Sequence, residues 1–118
     1  MKELTLRTAR VAFSLAIARL ILHAESLGYE LALAEGMDRV TEKDPTSDHM
    51  KGSLHDIGLA QDLDLYFKGI YMSNTEDHSP LGMWWKDYGV ENGLPLAWGG
   101  DFAKPDGNHY SLSWKGKS

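Results

Sequence analysis

The sequence contains no cysteine. That absence excludes disulfides, a cysteine nucleophile and a thiolate-ligated metal, so any metal site must draw on imidazole and carboxylate. Positive charge is also scarce. Twelve Lys and Arg stand against 17 Asp and Glu, a formal net charge of -5, and the basic residues are scattered. Binding a phosphate backbone needs a basic face, so nucleic acid is not an expected partner. No apolar run approaches the roughly 18 residues of a membrane span, so no stable membrane association is expected. Repeats and low-complexity stretches are missing too.

Lys2, Arg7 and Arg10 ahead of Val11 to Leu22 have the outline of a secretory signal, but Arg19 interrupts the apolar stretch. The segment reads as a helix rather than a signal peptide, which makes the cytoplasm of the producing cell the expected location. The 118 residues are 42% hydrophobic and 25% charged, as in ordinary globular proteins. One domain over residues 1–118, acting as a monomer, is expected.

From Thr8 to Leu27 the apolar residues Phe13, Ile17, Leu20, Ala24 and Leu27 recur on one helical face, and Gly28 ends the helix. Tyr29 to Glu35 reads as a strand, and Gly36 to Gly52 as a long polar surface loop. Ala60 to Phe67 alternates, with Gln61, Leu63 and Leu65 on one side and Ala60, Asp62, Asp64 and Tyr66 on the other. Lys68-Gly69 predicts a hairpin turn into Ile70 to Met72. Ser73 to Ser79 reads as loop. Ser79-Pro80 predicts the start of a second helix capped by Ser79 and ended by Gly89. The chain then reads as irregular up to Asn108. His109 to Trp114 alternates again, with Tyr110, Leu112 and Trp114 facing the core. The sum is an α+β fold: a small antiparallel sheet on a long N-terminal helix, with a second, shorter helix.

The chemistry concentrates in Ser53 to Asp62 and in Asp106-Gly107-Asn108-His109. Zinc takes His nitrogen and carboxylate oxygen at roughly 2.0–2.2 Å, so its ligands crowd together. His55 and Asp62 would stand roughly 23 Å apart on a straight chain, so the chain must double back, and Gly58 has the backbone freedom for it. Three protein ligands from His55, Asp62 and His109 leave a coordination position for water, the catalytic pattern. Asp106 is then the candidate to take a proton from that water. On its own a His-x6-Asp pair is weak, and Asp62 and Asp64 also read as solvated strand residues.

The pattern Ser-x-His-x6-Asp followed by Asp-x-x-His resembles the zinc D-alanyl-D-alanine carboxypeptidase and L-alanyl-D-glutamate endopeptidase family of peptidoglycan peptidases. The resemblance extends to Ser26 to Glu30, Ser53 to Tyr66, Thr75 to His78 with Pro80 to Gly82, and Trp98 to Gly100 through Asp106 to Leu112. It is closest in kind to the compact single-domain forms of phages and prophages, which act as endolysins, and it implies their hedgehog-like peptidase fold. It implies zinc on His55, Asp62 and His109, a catalytic carboxylate at Asp106 and a substrate-binding or oxyanion-binding arginine at Arg39. Arg39 stands in Asp38-Arg39-Val40 where family members have Tyr-Arg-Thr, so the match is offset there. Ser53 matches the family serine beside the first histidine, with a hydrogen-bonding role.

The implied substrate is the stem peptide of the bacterial wall. Endopeptidase cleavage, trimming of terminal D-alanine, and a non-catalytic zinc-binding module of the same fold all remain open at this point. Asp101 competes with Asp106 as base but lacks the three-residue spacing to His109. Asp64 reads equally as orienter of a ligand or as a solvated carboxylate. His23 reads as a surface or packing residue of the first helix, His49 as a loop residue, and His78 as a brace at the start of the second helix. Among Trp84, Trp85 and Trp98, at least two read as core rather than as a sugar platform; Trp98, beside the glycine pair, is expected to line the cleft.

Overall fold

The computed structural model describes residues 4–34 and 53–118. The loop expected over residues 36–52, with Arg39 and His49, lies outside the described residues, as does Glu35.

Helix α1 runs Leu6–Ser26. It begins earlier than the apolar period suggests because two threonines cap it. The Thr8 N–H donates to Thr5 Oγ1 at 3.1 Å, and the Thr5 N–H donates to Thr8 Oγ1 at 2.9 Å. These bonds engage amides that the first helical turn leaves without acceptors. Ala9, Phe13, Ala16, Ile17, Leu20 and Ala24 form the buried face. Leu27, expected on that face, is instead the exposed C-cap residue, since the helix has already ended.

Strand β1 (Tyr29–Leu33) pairs antiparallel with β2 (Ala60–Phe67), Leu31 opposite Leu65. Lys68 and Gly69 both take positive φ and turn the chain into β3 (Ile70–Tyr71), as the hairpin reading anticipated. A 3-10 turn over Thr75–His78 replaces part of the expected loop and leads into helix α2 (Ser79–Asn92). Ser79 is the first helical residue rather than the cap; His78 is the N-cap and makes no side-chain cap bond. Gly89 does not end α2 but lies buried inside it. The helix stops at Gly93, which takes the left-handed conformation.

Strand β4 (Leu96–Trp98) was not anticipated, because it has only three residues. Strand β5 (His109–Leu112) enters between β2 and β4. The sheet order is β1-β2-β5-β4, all neighbours antiparallel, with β3 on β2 beyond the stretch that β5 occupies. As a central strand β5 is buried at all four positions, so its expected polar face is not solvated.

The helices cover one face of this sheet. Phe13 of α1 meets Trp85 of α2 edge to face at 5.8 Å, and Trp85 meets Tyr110 of β5 in the same way at 5.7 Å. Leu63, Leu65 and Leu112 are fully buried in the same core. Burying each leucine contributes about 1.5–3 kcal/mol relative to exposure. The Trp85 indole N–H donates to the Ala97 carbonyl at 2.8 Å, which satisfies its polar atom inside the core. Because side chains alternate, Asp62 and His109, the chain neighbours of Leu63 and Tyr110, project from the opposite face of the sheet.

Candidate metal centre

The register of β2 and β5 sets Asp62 directly opposite His109. Opposed residues in an antiparallel pair share a face with Cβ atoms about 4.5–5.5 Å apart, so pairing alone joins carboxylate to imidazole. His55 arrives through successive turns. The Asp56 N–H donates to the Ser53 carbonyl at 3.0 Å, and the Leu59 N–H donates to the Leu54 carbonyl at 2.9 Å. Gly58 closes the reversal with φ +78°, where the Arg10 side chain also leaves little room for a Cβ. The expected doubling back is thus present, and Gly58 carries it.

The result is a three-residue cluster. Asp62 Oδ1 lies 3.7 Å from His55 Nε2 and 3.5 Å from His109 Nδ1, and the two imidazole centroids are 5.2 Å apart. One donor atom from each residue falls within 4.8 Å of the others. The two nitrogen–oxygen separations exceed ordinary hydrogen bonds. They match instead the ~3.4 Å edge of a tetrahedron whose ligand bonds are about 2.1 Å. Asp62 is 9% and His109 7% exposed. A carboxylate oxygen with an imidazole nitrogen on either side at these separations is a donor set that fits a divalent cation.

The loop carrying Asp106 and His109 is fixed by its backbone. The Asp106 N–H donates to the Gly99 carbonyl at 2.9 Å, and the His109 N–H donates to the Asp106 carbonyl at 3.1 Å. The Gly107 N–H donates to Thr75 Oγ1 at 3.1 Å, and the Gly107 carbonyl accepts the Trp98 indole N–H at 2.7 Å. Gly107 must be glycine for space: a Cβ there would stand 2.5 Å from Thr75 Cα. Asp106 itself is exposed.

Trp98 departs from expectation. It pairs with Tyr110 in the β4–β5 register and so sits on the helix side, 6% exposed, against Gly82 of α2. It does not line the cleft; it reaches the metal loop only through the Gly107 carbonyl. Asp101 is engaged elsewhere, its carboxylate 2.8 Å from Lys86 Nζ. Ser53 Oγ is buried beside the His55 turn, without a hydrogen-bond partner among the described residues. Asp64 is not grouped with the metal-capable residues; it lies near Tyr71, whose pKa is raised by burial and then by the Asp64 charge.

His78 is 3% exposed, and its Nδ1 lies 2.8 Å from the Tyr110 hydroxyl. Burial lowers its pKa despite the nearby charges of Asp77 and Asp64, and burial raises that of Tyr110. The pair therefore stays neutral and ties the start of α2 to β5, the bracing role expected of His78. Thr75, and Phe102 with its ring 5.3 Å from that of His109, were not found from sequence. Neither has a local signal, because each acts through a partner distant in the chain or across a turn.

No protein-family model matches the chain, and no curated protein matches it. Among solved structures it is similar to the L-Ala D-Glu endopeptidase ChiX of Serratia marcescens, with a TM-score of 0.62 and 20% identity. The match covers 82% of this chain and 77% of that one. This likeness establishes a shared fold.

Proposed function

We propose that this chain is a zinc-dependent peptidase of the peptidoglycan stem peptide, working as one domain and cutting the L-alanyl-D-glutamate bond. The observation that carries the reading is the convergence of His55, Asp62 and His109 from a turn and two strands to within 4.8 Å. The fold shared with an L-Ala D-Glu endopeptidase supports the choice of bond.

In this reading His55, Asp62 and His109 would hold the ion. When bound, a divalent ion supplies Lewis acidity, acidifying water and polarising a carbonyl. Asp106 takes the proton from the attacking water and returns it to the departing amine. Its solvent exposure suits a group that meets substrate from outside, and the fixed backbone at residues 106–109 keeps it three residues from a ligand. Ser53, whose Oγ has no partner among the described residues, would give its hydrogen bond to a group that enters the site. Arg39, outside the described residues, binds a substrate carboxylate or the developing oxyanion. Trp98 acts as a positioning residue through Gly107.

The motif resemblance to compact phage forms supports a role as an endolysin, stored in the host cytoplasm and released to the wall at lysis. No described helix is long and apolar enough to cross a membrane.

Mass spectrometry of peptidoglycan digested by the zinc-loaded protein tests the reading. Stem peptides beginning at D-glutamate are expected. Loss of terminal D-alanine alone would make it a carboxypeptidase, and no new fragment at all would make it a non-catalytic metal-binding module. Clearing of outer-membrane-permeabilised cells tests the endolysin role.

A further inference from the structure

Of the three tryptophans read from sequence, Trp85 and Trp98 are core, but Trp84 is not. It is half-buried on the outer side of the helix layer and stacks with His23 of α1 at 5.0 Å and with Tyr88 of α2 at 5.1 Å, the planes tilted by 15° and 24°. Beside this stack a groove of ≈ 440 Å³ runs between the helices, lined by Arg19, Leu22, Trp84, Asp87, Tyr88 and Glu91. Its size falls within the roughly 300–1,000 Å³ of small-molecule sites. The metal ligands project from the other face of the sheet, so the groove is not part of the catalytic cleft.

The lining narrows the ligand by charge. An anion would meet Asp87 and Glu91 with only Arg19 to offset them, and a wholly apolar ligand would strip water from all three without compensation. A neutral ring with an apolar face and several hydroxyls meets none of these penalties. Its C–H face lies on the aromatic wall, while the guanidinium and carboxylates offer planar donors and acceptors to paired hydroxyls. The His23–Trp84–Tyr88 stack also holds that wall in place before any ligand arrives, which limits the ordering cost of binding.

We infer that the groove between α1 and α2 binds a sugar of the wall glycan, an N-acetylhexosamine unit. The choice of this sugar rests on the peptidoglycan reading of the metal centre. A site on the back of the molecule cannot hold the sugar that bears the peptide under attack. It holds a neighbouring strand, and so keeps the enzyme in the mesh between cleavages.

The test is a titration of the full chain, as wild type and as His55→Ala, with the tetramer of β-linked N-acetylglucosamine, which has no stem peptide. Indole and amide N–H correlation spectra supply the readout. Saturable shifts at the Trp84 indole and along residues 84–91 are expected in both proteins, with the Trp85 and Trp98 indoles unmoved. Tyr88→Ala should weaken binding by about tenfold, equivalent to ~1.4 kcal/mol. Arg19→Ala, at an exposed position outside the core, should weaken it in the same direction without a question of folding. No saturable shift, shifts mapping to the metal face, or unchanged binding in Arg19→Ala and Tyr88→Ala would overturn the site. Cleavage of stem peptide without tetramer binding overturns the groove alone, and tetramer binding without cleavage overturns the peptidase reading alone.

Discussion

Asp62 and His109 face each other across the β2–β5 ladder, with Oδ1 and Nδ1 3.5 Å apart. Sheet pairing, rather than a flexible loop, therefore sets the distance between these two donors. A one-residue slip of β5 would send His109 to the helix side and bring Tyr110 out, which the fully buried Tyr110 and Leu112 resist. Only His55 depends on a turn for its position.

If these residues hold zinc, the ion should stabilise the fold. At a free concentration of 100 Kd the gain is about 2.7 kcal/mol. In a chain of this size that raises Tm on the order of 10 °C. Calorimetry with and without zinc should show the rise, a chelator should reverse it, and His109→Ala should abolish it. An unchanged Tm in wild type would argue that the three donors do not act together.

Asp106 should separate binding from catalysis. Asp106→Ala is expected to retain one equivalent of zinc by atomic absorption while stem-peptide hydrolysis falls by about 10²–10⁴-fold, the usual contribution of a general base. Turnover close to wild type would remove Asp106 from that role.

The metal loop should not tolerate a methyl group at Gly107, where a Cβ would stand 2.5 Å from Thr75 Cα. Gly107→Ala is expected to cost about 1–3 kcal/mol, as overpacking does. Because Gly107 lies two residues from His109, zinc affinity should fall as well, with helix content by circular dichroism unchanged. Wild-type affinity would show that the loop is less tightly fixed than its hydrogen bonds imply.

Acid should weaken the fold through His78. Burial holds its pKa below the ordinary 6.5, so the folded protein keeps it neutral where the unfolded chain takes up a proton. Stability is thus full above that value, declines as pH falls through it, and levels off once the folded ring is protonated too. Denaturant midpoints between about pH 7.5 and pH 5 should show this decline. The slope should be smaller in His78→Gln; an identical slope would assign the effect elsewhere.

Much of this protein was legible before folding was considered. The four-three spacing of Phe13, Ile17, Leu20 and Ala24 predicts α1 because burial of one helical face requires it, and the alternation in Ala60 to Phe67 gives β2 with its observed bounds. Gly58 marked the reversal that His55 needs. Gly89 misled because a glycine inside a helix and one at its end look alike in sequence; only the approach of Leu94 and Leu96 explains why residue 89 has no side chain. Trp98 misled because its place beside Gly99 and Gly100 says nothing about which face of β4 it occupies.

The sequence by itself determined which groups are available, imidazoles and carboxylates with no thiol, and which segments can be helix or strand, because these follow from residue chemistry and local period. Tertiary structure alone decided that Asp62 is buried opposite His109, that Trp98 serves the loop from behind, and that Trp84 opens on a groove. Each depends on strand register or helix packing, in which residues far apart in the chain become neighbours, and no local spacing encodes that.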